Sequence, residues 1–134
     1  MKRVLVFGTF DVIHPGHISF LRQAKKYGDF LIVSLAREKF VLKIKGHSAR
    51  HSEAERRQLL ESLKIVDKVV FGSKIDYLRH IANIKPSVIV LGYDQSAFTE
   101  KLREKLAERG LRVKIVRAKA YKPHLYKTSR LVSF

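Results

Sequence analysis

The chain has no cysteine in 134 residues. That excludes disulfides, thiolate metal sites and a cysteine nucleophile together. It also has no apolar run near the ~18 residues that a membrane span needs. One of the longest, Phe30–Ala36, holds seven residues and includes Ser34. The opening Met-Lys-Arg leads directly into Val4–Phe7, too short for a signal peptide core and without a small-residue cleavage site. A cytoplasmic protein with no membrane partner is expected. Acidic residues are scarce as well: 12 Asp and Glu stand against 28 Lys and Arg, a net charge of +16. Apolar residues make up 46%, a globular share that argues against disorder despite the charge.

The basic excess is uneven. From Arg109 to Phe134 there are eight basic residues and no acidic one; from Arg37 to Arg57 there are seven basic and three acidic. Such asymmetry points to a phosphate-bearing partner without saying whose phosphate it is. A solvated basic surface is the alternative for any single side chain.

Apolar bursts alternate with amphipathic stretches. Strands are predicted at Arg3–Phe7, Phe30–Ala36, Val66–Gly72, Val88–Gly92 and Leu111–Val116. Between them lie four helical patterns. The first carries Ile18, Leu21 and Ala24 and stops at Gly28. The second opens on the capping box Ser52-Glu53-Ala54-Glu55, with Leu59, Leu60 and Leu63 as its apolar face. The third carries Ile75, Leu78, Ile81 and Ala82; the fourth carries Phe98, Leu102 and Leu106 and ends at Gly110. This alternation implies right-handed crossovers and a five-stranded parallel sheet covered on both faces, a Rossmann-like three-layer α/β/α fold. Residues 1–134 read as one domain, with Lys39–His51 as the loop lacking periodicity and any closing helix after Arg130 a stub.

In open parallel sheets, ligands sit beyond the carboxyl ends of the strands. Three clusters fall there. Gly8-Thr9-Phe10-Asp11 and His14-Pro15-Gly16-His17 follow the first strand and open the first helix. Pro15 suits a first helical turn, and Gly16 lets a ligand approach the backbone. Free N–H groups and the helix dipole favour an anion there, and two His three residues apart share one face, each able to donate to a phosphate oxygen. A metal site or a plain helix cap are the other readings of the pair. The segment is neither a Walker loop nor the dinucleotide fingerprint, since the glycine and lysine spacing differs. Gly92-Tyr93-Asp94-Gln95 is the second cluster; Asp94 can accept from a ribose hydroxyl or a base amino group, or cap a helix. Tyr121-Lys122 with Lys127-Thr128-Ser129-Arg130 is the third, a generic phosphate site or an ordinary capped terminus.

Gly8-Thr9-Phe10-Asp11 followed by His14-x-Gly16-His17 resembles the signature of the cytidylyltransferase-like nucleotidyltransferases. The resemblance covers nearly the whole chain, with Arg56, Val66-Asp67 and Thr128-Ser129 in family order. Within that family, His14-Pro15-Gly16-His17, Leu91-Gly92-Tyr93-Asp94-Gln95 with Phe98, and Tyr121-Lys122 are most similar to the archaeal FAD synthetases. The resemblance implies in-line attack by a substrate phosphate on the α-phosphate of a nucleoside triphosphate, with ATP and FMN as substrates, FAD and pyrophosphate as products, and no covalent enzyme intermediate. It implies that His14 and His17 contact the triphosphate, that Thr9, Phe10, Pro15 and Gly16 build the nucleotide site, that Asp94 contacts the nucleoside, and that Tyr121, Thr128 and Ser129 line nucleotide and phosphates. Lys45 falls where the family has a phosphate-binding lysine, and Lys43 fits the spacing equally. A divalent cation such as Mg2+, bound through the nucleotide phosphates rather than by protein ligands, is implied too.

Tyr93 stands where cytidylyltransferases of the glycerol-phosphate type have Asp, which argues against them. The absence of cysteine excludes the thiol redox control open to some archaeal relatives. A cytidylyltransferase acting on a small alcohol phosphate remains the nearest alternative. A basic nucleic-acid-binding domain is the alternative of another class, and neither a helix-turn-helix nor an aromatic stacking motif supports it. A homodimer is compatible with this reading.

Overall fold

Strand formation follows the β-branched bursts, and helix formation the capped amphipathic stretches between them. The computed structural model of the chain describes residues 1–37, 51–72, 77–92 and 102–120. Its element order is β1 (Arg3–Gly8), α1 (Pro15–Lys25), β2 (Phe30–Leu35), α2 (Glu53–Glu61), β3 (Lys68–Phe71), α3 (Tyr77–Ile84), β4 (Val88–Leu91), α4 (Leu102–Glu108) and β5 (Lys114–Arg117). All strands are parallel, in the order β3-β2-β1-β4-β5.

Both faces of the sheet are covered, so its strands are apolar on both sides rather than alternating. Val4, Val6, Leu31 and Val33 face Leu21 and Ala24 of α1 and Leu60 of α2. Leu5, Ile32, Ile89 and Leu91 face Ile81 of α3 and Leu102 and Leu106 of α4. The crossovers after β1 and β2 thus run over one face, and those after β3 and β4 over the other. The reversal falls between β1 and β4, the place where this topology opens a crevice at its carboxyl edge. Register aligns that edge: Gly8 pairs with Leu35, and Leu35 with Phe71.

Local chemistry fixes the element ends. Ser52 Oγ accepts the Glu55 N–H at 3.1 Å, and Glu55 Oε1 accepts the Ser52 N–H at 3.0 Å, the expected capping box. The Ser52 N–H and hydroxyl hold the Glu55 carboxyl below its ordinary range. Gly28 is required by crowding, since a Cβ there would lie 2.5 Å from the Lys2 carbonyl oxygen. Gly110 ends α4 at φ +76°, a left-handed conformation that glycine adopts without strain.

Three expectations shift. β3 begins at Lys68 rather than Val66, because the Asp67 carboxylate itself takes the Leu31 N–H at 2.7 Å. Burial alone would raise the Asp67 carboxyl, but that N–H and the Lys25 ammonium outweigh it and hold it low. β5 runs Lys114–Arg117 rather than Leu111–Val116, because the Leu111 N–H is spent on Leu106 O, closing α4. Leu59 is 44% exposed rather than core-facing. The buried face of α2 is Arg56 and Leu60, four residues apart, and Leu59 lies beside it. The expectations at Ile75, Phe98, residues 39–50 and the closing stub lie outside the described residues.

Candidate active site

At the carboxyl end of β1 the chain turns through Phe10, whose φ is +50°. The Phe10 ring is buried and lies over Gly8, where a Cβ would come within 2.4 Å of it. The ring packs against His17 with centroids 5.1 Å apart. The backbone strain at Phe10 is therefore spent on placing an aromatic support against an imidazole.

His14 is not inside the helix but is its N-cap, with Pro15 at the first helical position. Its Nδ1 accepts the Gly16 N–H at 3.1 Å, and its own backbone N–H is donated to His17 Nδ1 at 3.3 Å. The two residues form a reciprocal capping box made of imidazoles. Their rings stack at 3.8 Å between centroids with a 25° tilt. An accepting ring nitrogen carries no proton, so the hydrogen-bond pattern assigns the neutral tautomer with N–H at Nε2 for both. Burial lowers the His14 pKa and favours that neutral form. The result is a pair of Nε2–H donors at the N-terminus of an eleven-residue helix, where the dipole already favours an anion.

Arg56 braces the same loop from below. It is fully buried, and its NH1 donates to Thr9 O and Ala36 O, each at 2.9 Å, while Nε donates to His51 O at 3.2 Å. Asp11, also buried, accepts the His51 N–H at 2.9 Å. Together they tie the histidine loop to both ends of the segment that carries Lys43 and Lys45. A groove of about 640 Å3 runs from His14 and Pro15 along α1 past Ile18 to Arg22 and Lys26. Across the crevice, Arg117 at the end of β5 donates to Gly92 O at 2.9 Å, holding the exit of β4.

Thr9, Phe10, His14, Pro15, Gly16 and His17 are thus brought together. Lys43, Lys45, Asp94, Tyr121, Thr128 and Ser129 lie outside the described residues. Arg56, Asp11 and Arg117 were given no role from sequence. The signal for Arg56 was its spacing, four residues before Leu60 on the buried stripe. Among the described residues no group of three His, Asp or Glu side chains could hold a metal. The donors present are imidazoles whose Nδ1 atoms are engaged in capping, whereas Mg2+ takes oxygen ligands.

A family described as cytidylyltransferase-like matches residues 5–133. An FAD synthase of Ferroglobus placidus is 49% identical over 122 residues, covering 90% of this chain and 78% of that protein. One from Aciduliprofundum boonei is 45% identical over 121 residues, covering 90% and 80%. Among solved structures, a protein of Thermoplasma volcanium described as a lipopolysaccharide core biosynthesis protein superposes with a TM-score of 0.85. It is 38% identical, and the match covers 91% of this chain and 99% of that one.

Proposed function

The chain belongs to the cytidylyltransferase-like family, and from that membership we propose that it is an FMN adenylyltransferase, making FAD and pyrophosphate from FMN and ATP. The FAD synthases to which it is similar support this choice of substrates. The observation that carries the chemistry is the stacked His14–His17 pair at the start of α1, in which both Nδ1 atoms accept backbone N–H groups and the ring proton therefore sits on Nε2.

An FMN phosphate oxygen attacks the α-phosphorus of ATP, and the bond from that phosphorus to the bridging oxygen of the β-phosphate breaks. Pyrophosphate leaves and the AMP moiety stays on FMN, with no enzyme-bound intermediate. Such a transfer asks for positioning and charge stabilisation more than for a nucleophile. The Nε2–H groups of His14 and His17 donate to the oxygens that gain charge as the bond breaks. The N-terminus of α1 adds its dipole, and Gly16 admits the phosphates close to the backbone. Thr9 and Phe10 shape the wall: Thr9 through a backbone fixed by Arg56, Phe10 by bracing His17. Lys45, or Lys43, supplies a further cation. Asp94 contacts the nucleoside, and Tyr121, Thr128 and Ser129 line nucleotide and phosphates. A divalent cation would ride on the triphosphate and supply further charge neutralisation. The cytoplasm, where both substrates are at hand, is the expected compartment, and among the described residues no helix is long and apolar enough to cross a membrane.

The test is a matrix of ATP and CTP against FMN and glycerol 3-phosphate, read by pyrophosphate release and by chromatography of the product. ATP with FMN is expected to give FAD and pyrophosphate in equal amounts. Turnover only with CTP and the alcohol phosphate would overturn the assignment.

A further inference from the structure

Among the described residues, buried polar groups outside the histidine site are few. One is Ser34, on β2, 2% exposed within an otherwise apolar strand. Its hydroxyl lies 2.8 Å from Nε2 of His80 on α3. His80 is half-buried, and burial lowers its pKa, so the ring is neutral. A Ser–His pair in an apolar layer calls for an explanation, because each polar group placed there must be satisfied, and an apolar pair would satisfy the fold without it.

The position of the pair suggests one. Ser34 is level with Phe7 of β1 and Val70 of β3, one residue below the carboxyl edge marked by Gly8 and Leu35. It points to the sheet face opposite α1, the face where Phe7 and Tyr77 also pack. Gly72 sits over the hydroxyl; a Cβ there would lie 3.4 Å from Ser34 Oγ. A side chain in its place would pack directly against that hydroxyl. The pair also has a group to spare. Nε2 is taken by Ser34, and Nδ1 has no protein partner among the described residues. If the hydroxyl donates to Nε2, Nδ1 carries the proton and donates; if Nε2 donates to the hydroxyl, Nδ1 accepts.

We propose that the His80–Ser34 pair, flanked by Phe7 and Tyr77, is the part of the acceptor site that reads the polar edge of a planar heteroaromatic ring, the flavin of FMN. This rests on the assignment of FMN as acceptor. His80 touches the ring edge through Nδ1. Ser34 is a positioning residue that fixes the imidazole. The reacting phosphate end of FMN lies at His14 and His17 beyond the carboxyl edge, and the ring end lies on the opposite sheet face. A site built to hydrogen-bond a ligand group rejects analogues lacking that group, because its own buried polar atoms are then left unpaired. The pair therefore sets acceptor choice rather than rate.

The experiment is steady-state kinetics with FMN varied at saturating ATP, joined to direct FMN titration by quenching of flavin fluorescence without ATP. His80→Gln keeps an amide near the Nε2 position for Ser34 and removes only the Nδ1 group. It is expected to raise KM and Kd for FMN about tenfold, roughly 1.4 kcal/mol, with kcat and the KM for ATP within about twofold. Ser34→Ala is expected to show a smaller rise, and Ser34→Thr, which restores the hydroxyl, to return FMN binding to the wild-type value. Wild type is expected to bind 3-methyl-FMN, blocked on the imide edge, about tenfold more weakly than FMN, and His80→Gln to bind the two alike. Unchanged FMN binding in folded His80→Gln, or equal discrimination against the methyl analogue by both proteins, would overturn the inference while leaving the FAD-forming activity standing. A wild-type protein that makes no FAD from FMN and ATP would instead remove the reading on which it rests.

Discussion

Replacing Arg56 by methionine keeps most of the side-chain volume and removes the guanidinium that joins three segments. Arg56 loses its bonds to Thr9 O, Ala36 O and His51 O. Each charge-assisted hydrogen bond is worth about 1.5–3 kcal/mol, and the three are not additive. A buried acceptor left unpaired costs about 1–3 kcal/mol, so about 4 kcal/mol for the three carbonyls together is a fair central value. With an unfolding entropy near 2.1 cal/mol/K per residue, 134 residues give about 0.28 kcal/mol/K, so Tm should fall by about 14 °C. Arg56→Lys should suffer most of the same loss, since one ammonium cannot span three carbonyls in a planar fork. Thermal unfolding followed by far-UV circular dichroism reads the shift. Turnover at a temperature where the variant remains folded should also fall, because the histidine loop, Ala36 and His51 lose their common anchor. A Tm within about 4 °C of wild type with full turnover would refute the bracing role.

Two glycines separate site from scaffold. Gly8→Ala drives a Cβ to 2.4 Å from the Phe10 ring and should disturb His17, lowering turnover well beyond its cost in stability. Gly28→Ala meets the Lys2 carbonyl and should cost about 1–3 kcal/mol in a urea melt with kcat of the folded enzyme unchanged. Acid should destabilise the fold. Burial lowers the pKa of both His14 and His80 below the ordinary value of 6.5, so the unfolded chain binds protons more readily; stability is fully present above about pH 6.5 and lost as pH falls toward their folded values. Urea midpoints at about pH 7.5 and pH 5 test this, and greater stability at the acid end would contradict it. Asp94→Ala should weaken ATP binding by about 1.5–3 kcal/mol, the worth of one charge-assisted hydrogen bond, with a smaller effect on kcat; a large fall in turnover at saturating ATP with unchanged affinity would count against its role as a nucleoside contact.

The layers of the fold were legible because periodicity and caps agreed. The Ser52–Glu55 box, the Gly28 and Gly110 stops and the strand–helix alternation all speak locally. What escaped was set by partners distant in sequence. Asp67 shortens β3 because its carboxylate reaches Leu31, 36 residues away. Arg56 looks like surface charge beside Arg57, and only the three carbonyls that converge on it explain its burial. The His14–His17 motif was visible as chemistry, with a helix cap as a rival reading; that the pair does both was not. Histidine is outside the usual set of N-cap residues, so sequence rules place both imidazoles on the helix face, whereas one of them starts the helix.

That double duty is the centre of the account: Nδ1 of His14 holds the fold locally, and Nε2–H serves the phosphates. His14→Asn separates the two. The Asn side-chain oxygen falls near the place of Nδ1 and asparagine is among the best N-caps, so α1 should stay capped and Tm should move by no more than a few degrees. The donor at the Nε2 position is gone, and FAD-forming turnover should drop about a hundredfold, the loss expected for one donor to developing charge. Turnover of folded His14→Asn with FMN and ATP is the deciding measurement: a fall of about a hundredfold with the fold intact is predicted, and near-wild-type turnover would contradict the assigned chemistry.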